Sequence, residues 1–158
     1  MSATLIEWLG AWPGAVLLQN SGTFYLFVNA AHILGIGLIL GAILPLDLRL
    51  LGLFRSAPLA VLGPFLSRAA AFGVVLAILT GLWLFSVRPA HYLGNAAFLW
   101  KLGLLALALV NIGLQHGNRH FRTAGTAGSI HPSVRVLAFL SMALWLSALV
   151  AGRWIGFL

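Results

Sequence analysis

A soluble domain carries roughly a quarter charged residues, whereas this 158-residue chain is 61% hydrophobic and only 7% charged, with a mean hydropathy of +1.05. Nine Lys/Arg against two Asp/Glu set the formal charge at +7. The basic residues punctuate apolar runs rather than forming a stripe, which points to membrane flanks and away from nucleic acid. Cysteine is absent, which excludes disulfides, thiolate metal sites, iron–sulfur clusters and cysteine nucleophiles. An N-terminus with Glu7 and no basic region argues against a cleaved signal peptide.

Residues 2–20 are too short and interrupted to cross a bilayer. Trp8 and Trp12 lie four apart before Pro13 and Gly14, which predicts one short interfacial helix. A spanning helix needs about 20 apolar residues, and four segments supply them. The first, 24–46, is charge-free until Asp47. The second, 66–87, has its apolar stretch between Arg68 and Arg88. The third, 96–116, carries Lys101 near its start, and the fourth, 134–157, carries Arg153 near its end. None alternates with period two, so a β-barrel is a poor reading. The expectation is an all-α, integral membrane four-helix bundle forming a single domain over 1–158.

Arginines concentrate in the 1–2 connection (Arg49, Arg55, Arg68) and the 3–4 connection (Arg119, Arg122, Arg135), against Arg88, Lys101 and Arg153 on the other side. The positive-inside rule then predicts that both termini lie on the non-cytoplasmic side. Small residues recur every fourth position: Gly37 and Gly41 in span 1, Ala69, Gly73, Ala77 and Gly81 in span 2, and Ala143, Ser147 and Ala151 in span 4. Such stripes let backbones approach closely in lipid. The stretch 123–129, rich in Gly, Ala and Thr, reads as a loop.

Ionisable groups inside spans are functional candidates by default. Span 1 holds His32, with Asn29 one turn before and Gly35 one turn after, and closes on Asp47 and Arg49. Span 3 holds Lys101, Asn111, Gln115 and His116, with His120 one turn further. His32 to Asp47 is fifteen residues, as is Lys101 to His116. On a helix that returns to within about 60° of the same face, roughly 22 Å along. If spans 1 and 3 face each other, they present an outer rung of His32 and Lys101 and an inner rung of Asp47 and His116. His32 reads either as a hydrogen-bonded core imidazole or as an axial ligand to haem iron, with Gly35 leaving room beside a flat ring. Lys101 reads as a snorkelling anchor or as a counter-charge or proton carrier for a ligand. His116 and His120 form an H-x-x-x-H pair whose spacing suits zinc or copper. Asp47 is expected to pair with Arg49 or a neighbouring basic group, and Arg153 either anchors its span or pairs with a haem propionate. Spans 2 and 4 hold no histidine, so a second iron ligand at the depth of His32 would have to come from His91 folding inward, Lys101 or water.

The segment NAAHILGIGLILGAILPLDLRLLGLF resembles the first span of the membrane-bound, haem-associated protoporphyrinogen oxidases and of copper-resistance CopD membrane domains. FLWKLGLLALALVNIGLQH is similar to their K-L-x-L span, opened by a lysine and closed by a histidine. The whole chain, including WLSALVAGRWIGF, also resembles small four-span bacterial proteins of unassigned function. The resemblance implies that His32 is the haem-associated histidine, Lys101 the matching lysine and His116 the histidine closing span 3. The expected function is a haem-b membrane redox protein, possessing oxidoreductase chemistry, that exchanges electrons with a quinone, a porphyrinogen or a partner protein in the bacterial cytoplasmic membrane. The alternatives are a copper or other metal transport protein drawing on His32, His116 and His120, and a non-catalytic subunit of a larger complex. A homo-oligomer is compatible with either. No nucleophile–base pair or phosphate loop favours hydrolase chemistry.

Overall fold

A computed structural model describes residues 3–125 and 129–157. The described residues form eight α-helices: α1 (Ala3–Ala11), α2 (Pro13–Asn20), α3 (Gly22–Leu51), α4 (Leu59–Val87), α5 (Pro89–Leu93), α6 (Ala96–Gly117), α7 (Arg119–Arg122) and α8 (Pro132–Trp154). A 3-10 turn, Ile155–Phe157, closes the chain. No strand occurs among them. Helices α3, α4, α6 and α8 with its 3-10 extension are long and apolar enough to cross a membrane. Their outward faces carry bare apolar side chains such as Phe27, Phe65, Phe72 and Trp100, which lipid solvates and water does not. The chain is a multi-pass membrane protein built as an all-α four-helix bundle.

Helices α3 and α6 start at capping side chains. The Ser21 side chain accepts from the Phe24 N–H, and the Asn95 carboxamide from the Phe98 N–H, each satisfying one of the free donors of a first turn. Gly52 ends α3 at φ 110°, the left-handed conformation that glycine adopts without strain. Two helices run well past the predicted spans. Helix α3 continues through Pro45 to Leu51, and α4 begins at Leu59 and carries Pro64 within it, not at residue 66. The interfacial segment is two helices instead of one, because Pro13 is the first residue of α2 and Trp12 is extended. Ser2 lies outside the described residues, as do positions 126–128 of the expected loop.

The packing order is α4–α3–α8–α6. Backbone contacts join α3 to α4, α3 to α8 and α6 to α8, while among the described residues α6 makes none with α3 or α4. The α3–α4 crossing is the tightest. A Cβ on Gly73 would lie 2.8 Å from the Gly35 carbonyl oxygen and 2.9 Å from the Ile39 nitrogen, so only glycine fits. This corrects the stripe predicted for span 1: Gly35 makes the crossing, whereas a Cβ on Gly37 or Gly41 would meet nothing within 4 Å. In α8 the buried face is Val134, Ala138, Ser141, Trp145 and Ala148. The predicted stripe therefore does not form that contact; Ser147 and Ala151 instead line an apolar groove with Ala97 and Trp100 of α6. All four long helices contribute to a central core of Ile39, Ile43, Ala70, Ala108 and Trp145.

Four antiparallel helices bring both termini to one end, the terminal end. There α1 and α2 lie over the end of α4: the Trp12 indole donates to Ser86 Oγ at 3.0 Å and the Trp83 indole to the Gly14 carbonyl at 2.8 Å. Gln19 donates to the carbonyls of Gly10 and Val87. The opposite, arginine end holds the 1–2 and 3–4 connections.

Candidate functional site

His32 projects from α3 toward α4, half-buried. Its Nδ1 lies 3.0 Å from Thr80 Oγ1, and Thr80 Oγ1 lies 2.6 Å from the Leu76 carbonyl oxygen. A threonine hydroxyl has one proton, and the short contact to a carbonyl, which can only accept, takes it. Thr80 must then accept from His32, so Nδ1 carries the imidazole proton. In the neutral ring this leaves Nε2 as an unprotonated lone pair. The ring rests against α4 at Gly81, where a Cβ would stand 3.0 Å from Cε1.

Lys101 comes from α6 and lies against α8, where a Cβ on Gly152 would sit 3.4 Å from Nζ. It is close enough for its charge to act on the His32 ring. Its ammonium has no side-chain partner among the described residues. Each polar side chain thus rests on a neighbouring helix where a glycine leaves room, His32 at Gly81 of α4 and Lys101 at Gly152 of α8. Near the terminal end, aromatic rings join α4, α5 and α6. The Phe85 and Phe98 rings stack 5.4 Å apart, with Tyr92 at 5.3 Å from Phe98. The outer rung of His32 and Lys101 therefore forms, across a diagonal of the bundle.

The inner rung does not. His116 is exposed, with Nδ1 3.0 Å from the Ile112 carbonyl oxygen and its ring on Phe121, while Asp47 is buried on α3 beside Ser141 of α8. Nor does Asp47 pair with Arg49, whose guanidinium donates to the carbonyls of Ala57 and Arg55. The H-x-x-x-H pair is also split. Helix α6 ends at Gly117, Asn118 caps α7 by accepting from the His120 N–H, and the changed axis carries His120 onto His131, with rings stacked 3.9 Å apart. Among the described residues no three His, Asp or Glu side chains gather as a metal site.

His91 does not fold inward. It is exposed on α5 and lines a polar recess with Gln19, Tyr25 and Arg88. Arg153 lies over the Phe157 ring at 4.6 Å, an end-of-span contact. Sequence reasoning missed Thr80, Gly152, Ser141 and His131. Thr80 carries the only available signal, a hydroxyl one residue before Gly81 of the small-residue stripe.

The fold defines a four-span membrane bundle with a half-buried, hydrogen-bonded imidazole on α3. The chain belongs to DUF6644, a family of unknown function, whose model matches residues 6–158. No curated protein and no solved structure matches it.

Proposed function

We propose that the protein is a haem-b-binding electron carrier of the bacterial cytoplasmic membrane, with the terminal end on the non-cytoplasmic side. The observation that carries this reading is the contact of His32 Nδ1 with Thr80, whose own hydroxyl proton is taken by the Leu76 carbonyl. A ring held that way offers Nε2 to iron and has its orientation fixed by a second hydrogen bond, the arrangement typical of metal-bound histidine. The residues around it suit the group. Lys101 would supply a cation for a propionate, and the Phe85, Phe98 and Tyr92 rings cover the terminal end. With no other histidine at this depth, His32 is the single imidazole ligand.

When bound, the haem supplies one-electron chemistry at a potential set by axial ligation, nearby charge and burial. His32 holds iron, Thr80 orients His32, and Lys101 balances negative charge in a dry setting. The electron partner is a quinol in the bilayer or a docked protein. The test is an absorbance spectrum, air-oxidised and dithionite-reduced, of protein produced with ample haem. Wild type and His116→Ala should show a Soret band and His32→Ala should not. A colourless wild type, or a full band in His32→Ala, sinks the reading.

A further inference from the structure

The terminal end carries a polar recess that the His32 reading does not use. It encloses about 420 Å³ between the end of α2, the first turn of α3 and the junction of α4 with α5, a volume typical of small-molecule sites. Leu18 and Val87 are its apolar lining, and Tyr25, Arg88, His91 and Tyr92 supply polar groups. The walls are held without an occupant. Gln19, at the rim, spends both amide protons on carbonyls, at 3.0 Å to Gly10 and 3.1 Å to Val87. The Tyr92 ring centroid lies 5.3 Å from that of Phe98 and 6.2 Å from that of Phe85, and the His91 ring meets Tyr92 edge-on at 5.8 Å.

The recess holds donors without acceptors to match. The Tyr25 and Tyr92 hydroxyls hydrogen-bond each other, so one O–H of the pair is left to give. Arg88 is close enough for its charge to act on Tyr92, yet its guanidinium makes no hydrogen bond or ion pair among the described residues. His91 also lacks a hydrogen-bond partner there, and an imidazole offers an N–H in either tautomer. No carboxylate answers them. The chain has two acidic residues: Asp47 is buried beside Ser141, and Glu7 is on α1 and does not line the recess. A guanidinium fork flanked by further donors, with no counter-charge, is complementary to an oxyanion.

We infer that this recess binds a phosphate group at the depth of the lipid headgroups. Depth selects phosphate among the oxyanions. The recess lies where the apolar run of α4 gives way to Arg88 and that of α3 begins. The Trp12 and Trp83 rings sit together at the same end, and Tyr25 adds a third interfacial aromatic. Phospholipid phosphates occupy that layer of the bilayer, and the apolar lining suits the glycerol that follows the phosphate. The site is separate from His32 and does not depend on haem.

The test uses the purified full-length protein, delipidated in detergent. It is melted with short-chain phosphatidylglycerol, with the matching diacylglycerol, and with inorganic phosphate, each against sodium chloride at equal ionic strength. Phosphatidylglycerol should raise Tm saturably, and diacylglycerol, which has the tails without the phosphate, should not. Arg88→Gln should raise the half-saturating concentration about tenfold, as expected for the loss of a charged hydrogen bond. Arg88→Lys should recover part of that loss, and Tyr25→Phe should weaken binding a few-fold. Arg153→Gln removes a cation outside the recess and should keep the wild-type response. A saturable response to inorganic phosphate that Arg88→Gln weakens would identify free phosphate as an occupant; a response to the phospholipid alone would identify the headgroup. No response to either phosphate compound overturns the site. So does an equal response to phosphatidylglycerol and diacylglycerol, or equal weakening by Arg88→Gln and Arg153→Gln.

Discussion

At the scale of single residues, the site turns on one proton. Thr80 gives its hydrogen to Leu76 and receives the one on His32 Nδ1. Thr80→Val keeps the shape of the side chain and removes the acceptor. A half-buried N–H left without a partner costs about 1–3 kcal/mol, so detergent melting should fall accordingly, and the Soret band should broaden or shift. Thr80→Ser, which keeps the oxygen, should restore both. Lys101→Met removes a cation beside the ring, which should lower the reduction potential while leaving haem content nearly unchanged; an unaltered potential would place the ammonium away from the cofactor. His32 and Lys101 were legible in the sequence because an ionisable group in an apolar run stands out. Thr80 was not, because a threonine in such a run carries no charge and its role depends on which helix faces α3.

At the scale of helices, composition and length reveal a span but not its packed face. Gly35 and Gly37 are equivalent to any periodicity argument, yet one meets α4 and the other open space. Gly73→Leu would drive a side chain into backbone atoms of α3, which have no rotamer to yield, and should destabilise by ~3 kcal/mol or prevent assembly. Gly37→Leu should be nearly neutral in the same melting assay, and equal losses in the two would contradict the crossing. Helix ends were misjudged for a related reason. Asp47, Arg49 and Arg68 look like the limits of a membrane segment, but both helices run on past them, and Asp47 is buried inside the bundle. The α7 segment responds to acid. Partial desolvation, the neighbouring His131 and Arg119 hold the His120 imidazole below its ordinary value, so the unfolded segment takes up a proton more readily than the folded one. Its stability is complete above the ordinary imidazole range, about 6.5, and declines as pH falls through the lower folded value. Hydrogen-exchange protection across 119–125 should drop on mild acidification in wild type and much less in His120→Gln.

At the scale of the whole molecule, hydropathy made the four spans legible, while the order α4–α3–α8–α6 was not, since it follows from side-chain and glycine contacts between distant segments. That order puts His32 and Lys101 on helices whose backbones do not touch. Orientation rests on the arginine bias. Because the chain lacks cysteine, Asn20→Cys and Ser56→Cys give a clean comparison: an impermeant thiol reagent on intact cells should label the first and spare the second, and the reverse pattern would invert the topology. The central claim is ligation by His32, and chemical rescue tests it most directly. His32→Gly protein, loaded with haem, should lack the wild-type Soret band and regain it on titration with free imidazole, with saturation. A Soret band that is complete before imidazole is added would contradict the account.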